Sequence, residues 1–509
     1  MHTLSSNLVR VILPLLPAVL ALGFIWVSFN ASIMDFMPHY DVDQFIYWHE
    51  MATFASNGFH GGHYGVNELI SPLKGFGPHG IGIAVVYGFF YSLMPWLGFA
   101  AIPAINVLFL TVALAAYAWL GRPGLGKVIV VCLAVALYPP LFLYLPTSFQ
   151  DGFHCAAAIV LAMVFIRLIN KRDDPDQMAF RLGAGVFLLC LCFVRYTWAV
   201  CFVPYFFIVL AGRRWRIPLA FALALAMSLA VVWCFNLFVP AWYSSPQSGV
   251  HVSGPLLSDK ITFMLVRATG NLRSLFDYTN NRAAAAILAG LVGFTVLGMA
   301  ATLHQSSWKR GELSPGAIVF LLIAMNMAVL LAVFIFAWTG SGSHLVRLLS
   351  ANYLFCFIVA FHVFPWRVFH VFIAYNATLV PLYLGIFQVY HLPGYINDVA
   401  RHKVLELSRQ ISPHLITAGA ANPWDKTIFV DVQERGIAYL GIPAGFGIQT
   451  TDGKSNDVPR LSRYALTDSK PASSGAGAWI PLVETVIGTL YVTSPASNAA
   501  SGAQKEERP

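Results

Sequence analysis

Acidic residues and histidines crowd into one stretch near the amino end. Between residues 35 and 79 lie Asp35, Asp41, Asp43, Glu50 and Glu68, together with His39, His49, His60, His63 and His79. The whole chain has only 23 acidic residues and 15 histidines, so this stretch holds a disproportionate share of the groups that can move protons or hold a cation. Asp41-Val-Asp43 opens an amphipathic helix predicted to run to about Asn57. Acidic residues at a helix start are favoured by capping and by the helix dipole. That explains one aspartate and leaves Tyr47, Trp48, His49 and Glu50 on the same short helix unaccounted for. A carboxylate held beside apolar walls can take a proton from an attacking hydroxyl. Asp43 is the first candidate for that role and Asp41 the second, with Glu50, His49 and His79 as further site candidates.

The histidines raise a second chemistry. His60-Gly-Gly-His63 with nearby Glu50 and Glu68 could bind a divalent cation, although His-x-x-His in a glycine-rich loop fixes no third ligand by spacing. Nothing else in the chain calls for a cofactor. Gly61-Gly62 is no phosphate loop, because neither the Lys-Ser/Thr nor the helix start of such a loop follows.

What surrounds this polar stretch is apolar. The chain has 509 residues, of which 58% are hydrophobic and 11% charged, with a mean hydropathy of +0.67. Soluble domains carry about 25% charged residues, so this composition needs lipid as its solvent. The net charge of +8 is then a matter of membrane topology, not of nucleic acid. The seven cysteines all lie in apolar segments, which argues against a disulfide framework and against thiolate metal sites. The first apolar run, Val11 to Phe29, lacks a small-residue cleavage site at Asn30 and reads as a retained anchor.

Apolar segments cover about 11–29, 100–120, 127–145, 152–169, 181–211, 217–240, 284–303, 315–338, 345–364 and 368–390. Basic residues collect at Arg10, Arg122/Lys127, Lys171/Arg172/Arg181, Arg213/Arg214/Arg216, Lys309/Arg310 and Arg367. Placing all of these in the cytoplasm forces 181–211 to cross twice, turning near Arg195-Tyr-Thr-Trp198. It also makes 80–96 a juxtamembrane or re-entrant helix on the outer face. The expected architecture is a polytopic α-helical membrane protein of about 11 spans in residues 1–390, with the amino end inside. Its first external loop, 30–99, carries the chemistry. Residues 391–509 form a small external α/β domain with strands at 427–432, 447–450 and 484–492 and a disordered tail. The outer face then gathers that loop, the turn 145–151, the turn at Arg195, the loop 241–283 and the turn 339–344. No internal repeat is visible.

Arginines inside a membrane are costly unless they meet an anion. Arg195 and Arg347 are therefore candidates for anion binding, with Lys74 as a weaker alternative. The competing readings are snorkelling and a structural ion pair, for example with Asp151. Asp151 and His154, three residues apart, share a helix face; Asp151 serves either as a cap or in the site. Arg267, Arg273 and Arg282 read as headgroup contacts, and Trp48, Trp242 and Tyr243 as interfacial anchors or sugar-stacking platforms.

A membrane chain whose first external loop opens on an acidic pair followed by an aromatic resembles the GT-C glycosyltransferases. The Phe76-Gly-Pro-His-Gly80 segment before an apolar helix and the second turn Ser148-Phe-Gln-Asp-Gly-Phe-His154 are similar to that family as well. The layout agrees from residue 1 to about 390. The family often shows Asp-Glu at the first motif, where this chain has Asp43-Gln44 with Asp41 two residues before, and which carboxylate acts as base stays open. The resemblance implies an inverting transfer of a sugar from a polyprenyl-phosphate (or pyrophosphate) carrier to a glycan, lipid or protein acceptor on the outer face. It implies Asp43 or Asp41 as base and Arg347, Arg195 or Lys74 on the leaving phosphate. The basic bias places the chain in a bacterial inner membrane, with its carboxyl-terminal domain in the periplasm. Two other readings remain. A transporter or flippase of a lipid-linked sugar would put polar groups at the bilayer midplane on broken helices, often with a two-fold repeat. A polysaccharide polymerase or ligase would carry its arginines in one large late loop.

Overall fold

The computed structural model describes residues 2–39, 43–65, 75–77, 80–121, 123–171, 174–210, 216–238, 257–277, 342–363, 373–381, 397–415, 423–450, 462–471 and 478–493, with a few isolated positions between 293 and 371. The helices begin with α1 (His2–Ile12), α2 (Leu16–Phe29), α3 (Asp43–Asn57), α4 (Ile81–Leu93) and α5 (Ala101–Trp119). They continue with α6 (Leu125–Ala136), α7 (Pro139–Tyr144), α8 (Asp151–Asn170), α9 (Met178–Val194) and α10 (Phe202–Val209). Then come α11 (Ile217–Phe238), α12 (Leu257–Asp277), α13 (Gly342–Val363), α14 (Asp398–Ile411) and α15 (Arg435–Gly441). Strands β1 (Thr427–Asp431), β2 (Gly447–Thr450), β3 (Tyr464–Thr467), β4 (Trp479–Thr485) and β5 (Gly488–Thr493) fall in the last hundred residues. The chain divides into a larger unit, Met1–His39 with Pro78–Asn397, and a smaller one, Tyr40–Gly77 with Asp398–Pro509.

In the larger unit α8 is the central element, packed against both α5 and α13. Its sequence explains this. Ala156, Ala157, Ala158 and Ala162 are buried, and small side chains let helices in a membrane approach closely. Gly152 makes the closest approach: a Cβ there would sit 2.8 Å from Asn106 of α5. On the other side Phe165 meets Phe355 of α13 edge to face, with ring centroids 5.2 Å apart. By contrast α11 exposes Leu225, Leu229, Trp233 and Leu237, an apolar surface suited to lipid. Among the described residues four helical stretches are long and apolar enough to cross a membrane: Asn7–Phe29, Pro95–Trp119, Asp151–Asn170 and Pro218–Phe235. The chain is a multi-pass membrane protein. Three of the expected spans (284–303, 315–338 and 368–390) lie wholly or largely outside the described residues.

Residues 181–211 do not form one long helix. Arg195 leaves the helical region (φ −156°, ψ 113°), a 3-10 segment Tyr196–Cys201 follows, and α10 runs back along α9. The Tyr205 hydroxyl donates to the Arg181 carbonyl at 2.7 Å, so residues on either side of Arg195 are brought side by side. The α4 helix has 13 residues and is about 20 Å long, shorter than the hydrocarbon core of a bilayer. It packs on the end of α9, where a Cβ on Gly82 would sit 2.6 Å from the Phe193 carbonyl oxygen. The expected loop 241–283 contains a helix instead: α12 has 21 residues of mixed polarity, and its Arg267 stacks on Phe263 at 4.5 Å.

The smaller unit is a five-stranded mixed sheet of order β2-β1-β3-β5-β4. β1 pairs in parallel with β2 and β3, and β5 is antiparallel to β3 and β4. The predicted strand 484–492 is in fact a hairpin turning at Val486–Ile487, with Gly488 at φ +151°, where a side chain is strained. Central strand β3 went unpredicted because its four-residue run is too short to show alternation. The unit also takes in α3 from the first loop. Phe45 stacks on Tyr439 of α15 with centroids 5.6 Å apart, and Thr53 Oγ1 accepts from the Gly445 amide at 3.0 Å. Apolar residues on α3 thus cover the carboxyl-terminal sheet unit, although nearly 400 residues separate them in sequence.

Candidate active site

Three of the sequence candidates meet at one end of the larger unit. Asp151 opens α8, Arg195 ends α9 at the hairpin turn, and Arg347 lies near the start of α13. Arg347 Nε is 2.9 Å from Asp151 Oδ2, and Arg195 Nη1 is 3.7 Å from Asp151 Oδ1. All three side chains are buried: Asp151 is 2% exposed, Arg347 5% and Arg195 6%. Two guanidinium groups therefore share one carboxylate in a place with little water. The shorter contact is an ion pair without hydrogen-bond alignment. Arg195 Nη1 and Nη2 are both buried with no hydrogen-bond acceptor among the described residues. A buried donor without an acceptor is costly, and more so when charged.

The surroundings hold this geometry in place. Asn106 of α5 donates through Nδ2 to the Phe149 carbonyl at 2.8 Å and accepts from the Tyr87 hydroxyl of α4, which pins the turn that delivers Asp151. The Phe149 ring lies under the Arg347 guanidinium at 4.1 Å, a favourable cation–π placement. The Tyr138 hydroxyl donates to the Ser350 carbonyl at 2.8 Å, and Ser350 Oγ donates to the Arg347 carbonyl at 2.7 Å; both fix the start of α13. His154 is fully buried. Its Nδ1 is 3.2 Å from Trp198 Nε1 and its Nε2 is 3.0 Å from Gln150 Oε1. An indole nitrogen only donates, so Nδ1 is the acceptor and Nε2 carries the proton. His154 is a neutral bolt between the Arg195 turn and the start of α8, with both ring nitrogens engaged.

The first-loop candidates lie in the smaller unit. Asp43 is the first residue of α3 and is half-buried. Glu50, two turns on, is fully buried. Its Oε1 accepts from the Gly77 amide at 2.6 Å, while Oε2 has no hydrogen-bond partner among the described residues. Burial pushes the Glu50 carboxyl up to about 8, against the pull of the Gly77 amide and helped by the charge of Asp43. Burial likewise pushes the His49 imidazole down to about 4. Neutral His49 donates through Nε2 to the His63 carbonyl at 3.0 Å. At neutral pH both groups are therefore uncharged: a carboxylic acid and an imidazole side by side on one helix.

Of the proposed cation ligands, His60 is exposed and His63 is buried under Gly447 of β2. Among the described residues no three His, Cys, Asp or Glu side chains gather around one point. Asp41, Glu68, Lys74 and His79 lie outside the described residues, as do Trp242, Tyr243 and Arg282.

No protein-family model matches the sequence, and no curated protein does. Solved structures do. The oligosaccharyltransferase of Archaeoglobus fulgidus, tethered to an acceptor peptide containing the NVT sequon, superposes with a TM-score of 0.53 at 13% identity, over 91% of this chain and 69% of that one. The archaeal oligosaccharyltransferase AglB from Archaeoglobus fulgidus, in complex with an inhibitory peptide and a dolichol-phosphate, gives 0.52 at 12% identity, over 92% of this chain and 70% of that one. ArnT from Cupriavidus metallidurans, bound to undecaprenyl phosphate, aligns over 96% of this chain and 99% of that one at 10% identity, with a TM-score of 0.38, below that of a shared fold. This chain has the GT-C fold.

Within this fold, sequence reasoning missed the supports of the site. Asn106 and Tyr87 sit in apolar helices and look like ordinary interior polar residues; an asparagine in mid-span was the one available signal. Phe149 beneath Arg347 had no signal at all, since its partner lies about two hundred residues away.

Proposed function

We propose that this protein transfers a sugar from a polyprenyl-phosphate carrier to an acceptor hydroxyl or amide at the outer face of a bacterial inner membrane. The reading rests on Arg195: a buried guanidinium whose two terminal nitrogens have no acceptor among the described residues, at the turn where Asp151 and Arg347 also meet. A phosphate oxygen supplies the acceptor that Arg195 needs, and Asp151 holds the two arginines in position for it. The fold supports the choice of ligand, since a structural neighbour was solved with a dolichol-phosphate.

In the proposed reaction the acceptor atom attacks the anomeric carbon as the bond from that carbon to the phosphate oxygen breaks. The phosphate leaves with the electron pair and is stabilised by Arg195 and Arg347. Asp43, or Asp41 beside it, takes the proton released by the acceptor, and the anomeric configuration inverts. The smaller unit, with α3 and the sheet, is the natural candidate for selecting the acceptor.

The test is Asp43→Asn and Asp41→Asn in full-length protein supplied with a lipid-linked sugar. Loss of transfer with donor binding retained in one of them supports the reading and identifies the base. Full transfer in both removes these carboxylates from the mechanism. Sugar translocation without any new glycosidic bond would instead point to a flippase.

A further inference from the structure

The end of the larger unit opposite Asp151 contains a cavity of about 620 Å³, walled by the turns after α5 and α8 and the starts of α6 and α9. We propose that this cavity is a second anion site, built for the phosphate group of a membrane phospholipid and separate from the site around Arg195. The two sites are at opposite ends of α8, whose 20 residues span about 30 Å, one hydrocarbon thickness. A ligand of this cavity therefore lies in the opposite leaflet from one at Arg195.

Three cations line the cavity: Lys127 on α6, and Arg167 and Lys171 at the end of α8. Lys171 pairs with Asp174 at 3.5 Å. Lys127 and Arg167 have no carboxylate within ion-pair distance among the described residues. Arg167 is held in place without being neutralised: its guanidinium stacks on Phe180 at 4.3 Å, and its Nε and Nη2 donate to Gln177 Oε1 at 3.3 and 3.2 Å. The inner end of the cavity is polar, with Tyr117 Oη 3.1 Å from His362 Nε2. Met163 and Ile166 supply an apolar side. Cations beside apolar wall, between helices at a membrane surface, match an anionic headgroup carrying an acyl chain. Inorganic phosphate shares the charged part of that chemistry and lacks the chain. Basic residues that serve only the C-terminal dipole of α8 would need no cavity and would discriminate no lipid.

The test uses the delipidated full chain in detergent, titrated with phosphatidylglycerol or phosphatidylcholine and read by native mass spectrometry. A parallel thermal-shift arm uses inorganic phosphate alone. The wild type is expected to favour phosphatidylglycerol by roughly tenfold or more, since each cation near a headgroup is worth about a factor of five. The Lys127→Gln/Arg167→Gln double variant is expected to lose that preference, and Lys127→Arg to keep it. A phosphate-induced rise in Tm, absent from the double variant, would assign the site to free phosphate and still support an anion pocket. Equal binding of the two lipids with no phosphate shift would overturn the proposal. So would a preference that survives in the double variant. Because the same spectra report folded mass and charge state, an unfolded variant is recognised directly, and Lys127→Gln alone then carries the comparison.

Discussion

Replacing Asp151 with asparagine removes the carboxylate that Arg195 and Arg347 share and leaves both guanidinium groups buried. At an effective dielectric of about 20, the 2.9 Å contact corresponds to roughly 6 kcal/mol of attraction and the 3.7 Å contact to about 4.5 kcal/mol. Desolvation of all three groups offsets most of this. What a variant measures is mainly the cost of leaving a charge unpaired, about 3–5 kcal/mol when one partner of a buried pair is lost. Asp151→Asn should therefore lower the stability of the full chain in detergent by that amount, a large share of the 5–15 kcal/mol typical of a folded domain. The more specific expectation concerns the double variant. If the cost comes from stranded positive charge, Asp151→Asn/Arg195→Gln should be no less stable than Asp151→Asn alone, with a coupling energy of about 1–3 kcal/mol between the two positions. The assay is denaturant or thermal unfolding followed by tryptophan fluorescence, with circular dichroism to confirm helix content. Additivity within about 0.5 kcal/mol would refute the reasoning, because it would mean that the carboxylate and Arg195 do not act on each other.

The remaining predictions concern the neighbouring supports and the first loop. Glu50 binds its proton more tightly folded than unfolded, from an ordinary value of 4.5 up to about 8, so its contribution is full below pH 4.5 and is lost as pH rises toward 8. His49 falls from 6.5 to about 4, so its contribution is present above 6.5 and lost as pH falls through 4. The two slopes cancel between about 4.5 and 6.5. Above 6.5 hydrogen-exchange protection of α3 should fall by about 1.4 kcal/mol per pH unit, and a Glu50→Gln variant that still showed this decline would exclude Glu50 as its source. Trp198→Phe removes the donor to His154 and should cost about 1 kcal/mol while weakening lipid-phosphate binding at the Arg195 turn; unchanged binding would separate His154 from the site. Gly82→Ala places a Cβ against backbone at the end of α9 and should cost about 1–3 kcal/mol by overpacking, measured as a Tm shift; a neutral result would contradict the close approach of α4.

Much of this was legible in the residues. Basic clusters and segment lengths called for a turn at Arg195, and the structure ends α9 there, with Arg195 in extended backbone geometry. The same reasoning put the turns at 145–151, 195 and 339–344 on one face, and Asp151, Arg195 and Arg347 do meet. Of the sequence readings of the arginines, the structure displays the ion pair with Asp151; the phosphate contact is the proposal that the spare donors of Arg195 motivate. Partners remote in sequence were not legible. Nothing in Asp43–Asn57 indicates that Phe45 and Thr53 pack on residues 439 and 445, because a buried helix face does not reveal what buries it. The burial of Glu50 and His49 was hidden for the same reason: the helix shows which residues it carries, not what covers them.

The central claim is that Arg195, with Arg347 and Asp151, holds the phosphate of a lipid carrier. It is tested most directly by mass spectrometry of the lipids that copurify with the full-length wild type and with Arg195→Gln, both extracted from the same bacterial membrane. A polyprenyl phosphate or its sugar-bearing form should accompany the wild type and fall at least about tenfold in the variant, the loss expected for one charge-assisted contact to phosphate. Equal amounts of that lipid in both preparations, or none in the wild type, would contradict the account.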